Sequence, residues 1–215
     1  MPKFTDTDHF VVFDVESIGI HGEGFAVGWV EIVPSGEVLF HGHYYCDPTR
    51  ADAAPGLRHT NINQTDRRWV ENNVRKYLHP RDFLANPKSV REVFWRFWED
   101  AKKRAEEGSY TVYLAAEVPW PVEARFLNAC ILDKPYERHW GGPYPLIDIA
   151  SVMFAAGWNP NEDFHRNEDE PEHNALGDAR QSARLLLEAL RALGRIRTPT
   201  RPPRAPVSGR GRGAL

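Results

Sequence analysis

The first apolar stretch of the chain shows no alternation with polar residues. Phe10–Phe13 is uninterrupted, and it leads directly into Asp14-Val15-Glu16 and then Ser17-Ile18-Gly19. A short apolar run of this kind is typical of a strand that is buried on both faces of a sheet. The pattern therefore predicts a central strand over residues 9–16 that ends in two acidic residues.

The two acids at the end of this strand are one residue apart. On an extended strand, Asp14 and Glu16 point to the same side and stand about 7 Å apart. Carboxylates at the end of a buried strand are unfavourable unless they are paired or bound to a metal, and a hard divalent cation takes such oxygen ligands. A turn with two solvated acids is the alternative, and this pair alone does not separate the two.

The later pattern predicts further strands and helices in a definite order. Residues 25–33 and 38–46 follow as strands around the turn Pro34–Glu37, which makes a β-meander with the first strand. Residues 47–87 form an irregular, substrate-facing insertion with a short helical pattern. The remaining predicted elements are a helix from a capping box at Ser89–Glu92, a strand at 110–115, a helix through Asn128, a strand at 144–149 and a helix over 174–193. This order predicts an α/β fold, a mixed five-stranded sheet with helices on both faces.

Length and composition limit the class of protein. A chain of 215 residues is long enough for one sizeable core. Cys46 and Cys130 lie in no metal-binding spacing and are too few for a disulfide framework, so we expect ordinary thiols of a cytoplasmic protein. We find neither a signal peptide nor a membrane-spanning stretch in the sequence, and we expect no membrane partner.

Charge is distributed unevenly along the chain. Six arginines and no acid lie between Arg195 and Leu215, which leaves 21 basic and 30 acidic residues in the rest. The tail is rich in Pro, Gly and Arg and cannot build a core. We therefore predict one folded domain over residues 1–193 and a disordered basic tail over 194–215. The tail is either a tether for phosphate backbones or a solvated end without a role.

Three further residues are candidates for chemistry because of their positions. Asp178 lies in the first turns of the last predicted helix, well off the centre of its apolar stripe, and His173 precedes it by five residues. Glu123 lies in the helix after Trp120-Pro121, between apolar neighbours. For Asp178 and His173, each taken singly, the alternative is a solvated position on the surface. For Glu123 the alternative is a salt bridge.

Together these residues resemble the three motifs of the DnaQ-like DEDDh 3′→5′ exonucleases. Asp14-Val-Glu16-Ser-Ile-Gly19 is similar to the first motif, D-x-E-T-T-G. Glu123-Ala-Arg-Phe-Leu127 is similar to the second, in which an acid precedes x-x-F-L, and His173-Asn-Ala-Leu-Gly-Asp178-Ala179 to the third, H-x-A-x-x-D-A. The order and spacing agree over roughly residues 9–190.

The resemblance implies an RNase H-like fold and a metal-dependent exonuclease. Such an enzyme hydrolyses single-stranded RNA or DNA from a free 3′ end and releases 5′-mononucleotides. Small free-standing members of the family often trim RNA, which slightly favours RNA as the substrate here. Two Mg²⁺ or Mn²⁺ ions activate water and support the leaving oxygen. A homodimer is left open.

The resemblance also implies a role for each site residue. Asp14 would bridge the two ions, Glu16 and Asp178 would complete the first metal site, and Glu123 would hold the second ion. His173 would be the general base. The residues implied to contact the substrate are Ser17, Ile18, Gly19 and His173.

Two departures from the family pattern leave alternatives open. Glu123 stands where the family has aspartate, and a Pro-Trp-Pro segment precedes it, with Glu117 nearby as a rival acid. The alternatives are a catalytically impaired nucleic-acid-binding module, a structure-specific endonuclease of the same fold, and an interaction domain with solvated acids.

Overall fold

The predicted first strand lies at the centre of the sheet. A computed structural model describes residues 3–51 and 63–196 of the protein, and in it β1 (Asp8–Ser17) is the middle one of five strands. β2 (Gly24–Ile32) and β3 (Val38–Tyr45) extend the sheet antiparallel on one side. β4 (Thr111–Ala116) and β5 (Leu146–Asp148) extend it in parallel on the other. The predicted mixed five-stranded sheet is confirmed.

Helices cover both faces of this sheet. Their bounds are Gln64–Asn73 (α1), Pro87–Gly108 (α2), Val122–Asp133 (α3), Pro135–Arg138 (α4), Ile149–Ala155 (α5) and Ala175–Ala192 (α6). Short 3-10 turns lie at Gly19–His21, Pro48–Arg50, Arg75–Tyr77 and Pro80–Asp82.

The side chains of β1 alternate between two apolar clusters. Val11, Phe13 and Val15 belong to the cluster that includes side chains of α2 and α3. Phe10 and Val12 belong to the other, with side chains of α5 and α6. Because strand residues alternate between faces, the next two positions on the α6 side are those of the two acids. The sheet therefore aims both acids at α6.

Several predicted boundaries are wrong. Asn86, rather than Ser89, caps α2: its Oδ1 accepts a hydrogen bond from the Ser89 backbone N–H, and the helix begins at Pro87. Glu92 is therefore not the acid of a capping box, and it pairs instead with Lys134 and Arg138.

The short strand and the helices around it also differ from the prediction. β5 ends at Asp148, and α5, which we did not predict, begins at the next residue. Three residues leave little room for an apolar pattern to separate the strand from the helix that follows. α3 continues to Asp133, five residues beyond its predicted end.

Packing at the end of the described chain continues past residue 193. Ile196 is buried in the cluster that contains α6, and the Arg195 carbonyl accepts a hydrogen bond from the Phe4 backbone N–H at 2.8 Å. Residues 197–215 of the predicted tail lie outside the described residues. Cys46 and Cys130 are both buried, without a disulfide. In residues 3–51 and 63–196, no helix is both long and apolar enough to cross a membrane.

A glycine in β2 allows α6 to lie directly against the sheet. Gly28 is paired with Asp14, and a Cβ built on it would lie 2.2 Å from the carbonyl carbon of Ala175 and from the nitrogen of Leu176. These are backbone atoms of the first turn of α6, so they cannot move aside as a flexible side chain would. Gly28 therefore sets the distance between the end of β1 and the start of α6.

We expect Gly28→Ala to displace the start of α6 and to lower the free energy of unfolding by about 1–3 kcal/mol, as overpacking does. Chemical denaturation measures the loss. Gly141→Ala is the comparison variant, because its Cβ would meet side-chain atoms of Lys102 and Trp95 at 3.3 Å, where Gly28→Ala would meet backbone at 2.2 Å, and it should lose less stability. Equal stabilities of the two variants would contradict this account of Gly28.

Candidate metal centre

The sheet opens a cleft where β1 and β4 separate. Pairing between them runs from Asp8 opposite Thr111 to Val12 opposite Ala115 and then stops. On its other side, β1 stays paired with β2 through Asp14 and beyond. The last residues of β1 therefore have a free edge towards β4, at the carboxyl ends of parallel strands, where open α/β sheets bind their ligands.

Three carboxylates converge in this cleft. Asp14, Glu16 and Asp178 each offer a ligand oxygen, and these oxygens all lie within 4.8 Å of one another. Asp178 is held in the first turn of α6, which Asn174 caps by accepting a hydrogen bond from the Gly177 N–H at 2.9 Å. The fold thus brings together both acids of the first motif and the acid of the third.

Two more acids border the three. The Glu123 side chain is buried at the start of α3, close enough to the Val15 backbone for that backbone to lower its pKa. Glu117 follows β4 and accepts a hydrogen bond from Ser182 Oγ at 2.7 Å. Both are close enough to raise the pKa of Asp14. Glu123 and its rival Glu117 therefore both belong to the acidic surroundings, although neither is in the group of three.

Burial and mutual repulsion act against ionisation of the cluster. Burial, then the charges of Asp178 and Glu123, raise the pKa of Glu16 to about 8. Burial raises the pKa of Glu123 to about 7, although the Val15 N–H lowers it. Burial and four neighbouring acids, Asp178 foremost, hold the pKa of Asp14 well above its ordinary value. Carboxylates that are desolvated and repel one another in this way are fully ionised only when cations lie among them.

One cation that we did not predict from the sequence already lies at the cluster. Nη1 of Arg166 is 2.7 Å from Oδ1 of Asp178. Burial raises the pKa of Asp178, and this hydrogen-bonded guanidinium partly opposes the rise. Arg166 lies in the loop before α6, where no periodic pattern marks it.

His173 lies at the rim of the centre. Its backbone is in the left-handed region, with φ of 60°, a conformation that a non-glycine residue adopts only when its surroundings hold it there. The imidazole packs edge-to-face against Trp69 at 4.7 Å between ring centroids, and its Nε2 is 3.5 Å from Oε1 of Glu172. Its charge lowers the pKa of Asp178, so the two groups are neighbours.

A cavity of about 320 Å³ adjoins the acids. Its lining residues are Val15, Glu16, Ser17, Gly19, Ile20, Asp66, Trp69 and Val122. Asp66 and Trp69 come from α1, inside the region that we predicted as a substrate-facing insertion. Ser17 and Gly19, which the first motif marks as candidate substrate contacts, also line the cavity.

Ile18, which we predicted as a substrate contact, is buried with 1% of its surface exposed. Its side chain packs in the cluster on the α2 side, so in this conformation it does not reach the cavity. Ile20, two residues later, is 57% exposed and lines the cavity. The left-handed Gly19, with φ of 59°, and the 3-10 turn Gly19–His21 lie between the two isoleucines, so the chain changes direction and their side chains face different surroundings.

Solved structures share this architecture. A product-bound structure of exonuclease I matches with a TM-score of 0.51 at 15% identity, over 88% of this chain and 44% of that one. The chain has the fold of exonuclease I. An apo exonuclease I structure agrees, with a TM-score of 0.51 and 14% identity over 88% of this chain and 42% of its own. The fold that we expected from the sequence is thereby confirmed.

Two further facts limit this comparison. The chain spans less than half the length of these exonuclease I structures. No protein-family model and no curated protein matches the sequence. The structural comparison therefore shows the exonuclease I fold, and the side chains of the cleft are the evidence for what the site can do chemically.

The raised pKa values predict how pH affects the metal-free protein. Glu16 has an unfolded pKa near 4.5 and a folded pKa of about 8, and Glu123 shifts from 4.5 to about 7. A raised folded pKa adds stability that is present below the unfolded value and is lost as pH rises through the folded value. In EDTA, the melting temperature of the wild type should therefore fall between about pH 5 and pH 8, and Mn²⁺ should reverse the fall.

Glu16→Gln separates this effect from other titrating groups such as His43, whose pKa burial lowers to about 4. The variant should lose less stability than the wild type over the same pH range, whereas Glu107→Gln, at an exposed acid, should behave as the wild type does. Parallel curves for all three proteins would contradict the prediction.

Proposed function

We propose that the protein is a metal-dependent 3′→5′ exonuclease that hydrolyses single-stranded RNA or DNA and releases 5′-mononucleotides. The observation that carries this proposal is the convergence of Asp14, Glu16 and Asp178 in a cleft of the exonuclease I fold. Because the chain spans less than half of the exonuclease I structures, the proposal concerns the catalytic unit alone.

The residues of the cluster fit divalent cations. Their donors are all carboxylate oxygens, the ligands that Mg²⁺ and Mn²⁺ prefer, and their raised pKa values reflect repulsion that such ions relieve. Asp14, Glu16 and Asp178 would hold one ion, and Glu123 with Asp14 a second. The ions would stabilise the negative charge that develops on the phosphate and on the leaving oxygen.

His173 is the candidate general base. The imidazole lies near Asp178 with a third of its side chain exposed, so it can exchange protons with solvent. Imidazole is the side chain chemically suited to accept a proton from an attacking water at physiological pH. Trp69 and the left-handed backbone hold the ring at the rim.

The adjoining cavity is the candidate site of the terminal nucleotide. Trp69 and Ile20 offer exposed apolar surface on which a base can stack. Gly19, with φ of 59°, carries no side chain at the wall, so a sugar can approach the backbone closely. Glu16 lines this cavity, so the last phosphodiester bond of a strand bound there would lie near the acids.

One observation favours a second candidate, a nucleic-acid-binding module with impaired catalysis. Glu123 lies outside the group of three close acids, and it is one methylene longer than the family's aspartate. If it does not hold a second ion, the protein binds single strands and cleaves them slowly. The other alternative from the sequence, solvated acids, does not agree with the burial of Glu16 and Glu123.

We expect the purified protein with Mn²⁺ to release mononucleotides from 5′-labelled single-stranded RNA or DNA, and Asp14→Asn to lower the rate by about a thousandfold. Loss of metal-based charge stabilisation of several kcal/mol corresponds to a factor of this size. Gel electrophoresis measures the rate on both polymers.

A substrate with a blocked 3′ end should resist degradation, since an exonuclease needs a free end, whereas an endonuclease would cut both substrates. Glu107→Gln is the control for the loss of an acid and should keep full activity. The proposal fails if folded wild-type protein releases no nucleotides from either polymer, and binding without release would favour the impaired module.

A further inference from the structure

The loop that carries Arg166 is fastened to α6 at several points. Glu170 is buried with 3% of its surface exposed, and it accepts hydrogen bonds from Nε and Nη2 of Arg184 at 3.0 and 2.8 Å. Its carboxylate also accepts from the backbone N–H of Asn167 at 2.9 Å. A buried carboxylate with this many donors fixes the loop on the carboxyl side of Arg166.

The other side of Arg166 is fixed as well. Nε2 of Gln181 donates to the Phe164 carbonyl at 3.1 Å, and Nη2 of Arg184 donates to the His165 carbonyl at 2.6 Å. The backbone around Arg166 is therefore held against the same helix that carries Asp178. The guanidinium donates to the Glu170 carbonyl at 3.2 Å as well as pairing with Asp178.

Asp178 is thus the one acid of the centre with a salt bridge to a basic side chain, within residues 3–51 and 63–196. Asp14, Glu16, Glu117 and Glu123 have no ion pair in that part of the chain. The hydrogen bonds between α6 and the loop therefore hold one positively charged side chain next to a group of acids.

We propose that Arg166 is the resident counter-ion of the metal-free centre and competes with the divalent ion for Asp178, so that it sets the metal affinity. This inference rests on the proposed function. A divalent ion that coordinates Oδ1 of Asp178 competes with the guanidinium for the negative charge and the lone pairs of that oxygen. Breaking the ion pair between Arg166 and Asp178 costs free energy, which weakens the binding of the metal. Arg166 thus acts on the metal through Asp178, as a positioning residue.

We expect Arg166→Gln to bind Mn²⁺ about 3- to 10-fold more tightly than the wild type. The removed charge interacts with a partly buried carboxylate, and a side chain that is 28% exposed is partly screened by water, which limits the effect. Isothermal titration calorimetry with Mn²⁺ alone measures the affinity, and thermal unfolding in EDTA should show a less stable metal-free variant.

Arg180→Gln is the matched control. Arg180 lies two residues after Asp178 on the same helix, and it pairs with Asp169 of the same loop at 3.7 Å. Its replacement by glutamine therefore removes the same charge from the same helix without removing a partner of the acids. The affinity of Arg180→Gln for Mn²⁺ should stay within about twofold of the wild-type value. Arg166→Lys keeps the charge but not the fork of donors, and should fall between the wild type and Arg166→Gln. If Arg166→Gln does not fold, Arg166→Lys is the variant that tests the proposal.

The outcomes are distinct. Tighter metal binding by the Arg166 variants than by Arg180→Gln supports the proposal. Equal or weaker binding overturns it, because Arg166 would then orient Asp178 for the metal or have no influence on it. A wild type that binds no divalent ion would instead contradict the proposed metal-dependent function itself.

Discussion

Repulsion among buried carboxylates is the constraint on which the rest of the structure depends. Asp14, Glu16 and Asp178 are gathered within 4.8 Å, with Glu117 and Glu123 beside them. Such a group costs free energy in a metal-free protein, and the raised pKa values express that cost. The surrounding fold has to hold the acids in place against it, and a bound divalent cation would turn the same arrangement into a favourable one.

The fold meets this constraint with few elements. β1 fixes the side on which its two acids stand, because alternation that buries Phe10 and Val12 also aims them at α6. Gly28 lets α6 approach to backbone contact, which carries Asp178 to them. β4 separates from β1 after Val12, and the buried side chain of Glu123 lies near Val15, beyond the end of that pairing. Each of these steps is local, yet together they place acids from three distant parts of the chain in one cleft.

The sequence predicted the elements that have strong patterns and missed what depends on tertiary contact. The unbroken apolar run before Asp14 identified the central strand, and the motif order identified the acids that converge. The capping of α2 by Asn86 was missed because Ser89 and Glu92 imitate a capping box. Arg166 was missed because its position depends on the side chains of α6 that fasten its loop, and no spacing in the sequence reports such contacts.

The claim that this cleft is a metal centre is tested most directly by anomalous diffraction from crystals soaked in Mn²⁺. We expect an anomalous peak within coordination distance of Asp14, Glu16 and Asp178, and no such peak in crystals of Asp14→Asn. A second peak beside Glu123 would identify the site of the second ion. Manganese bound elsewhere on the protein, with no density among the three acids, would contradict the account.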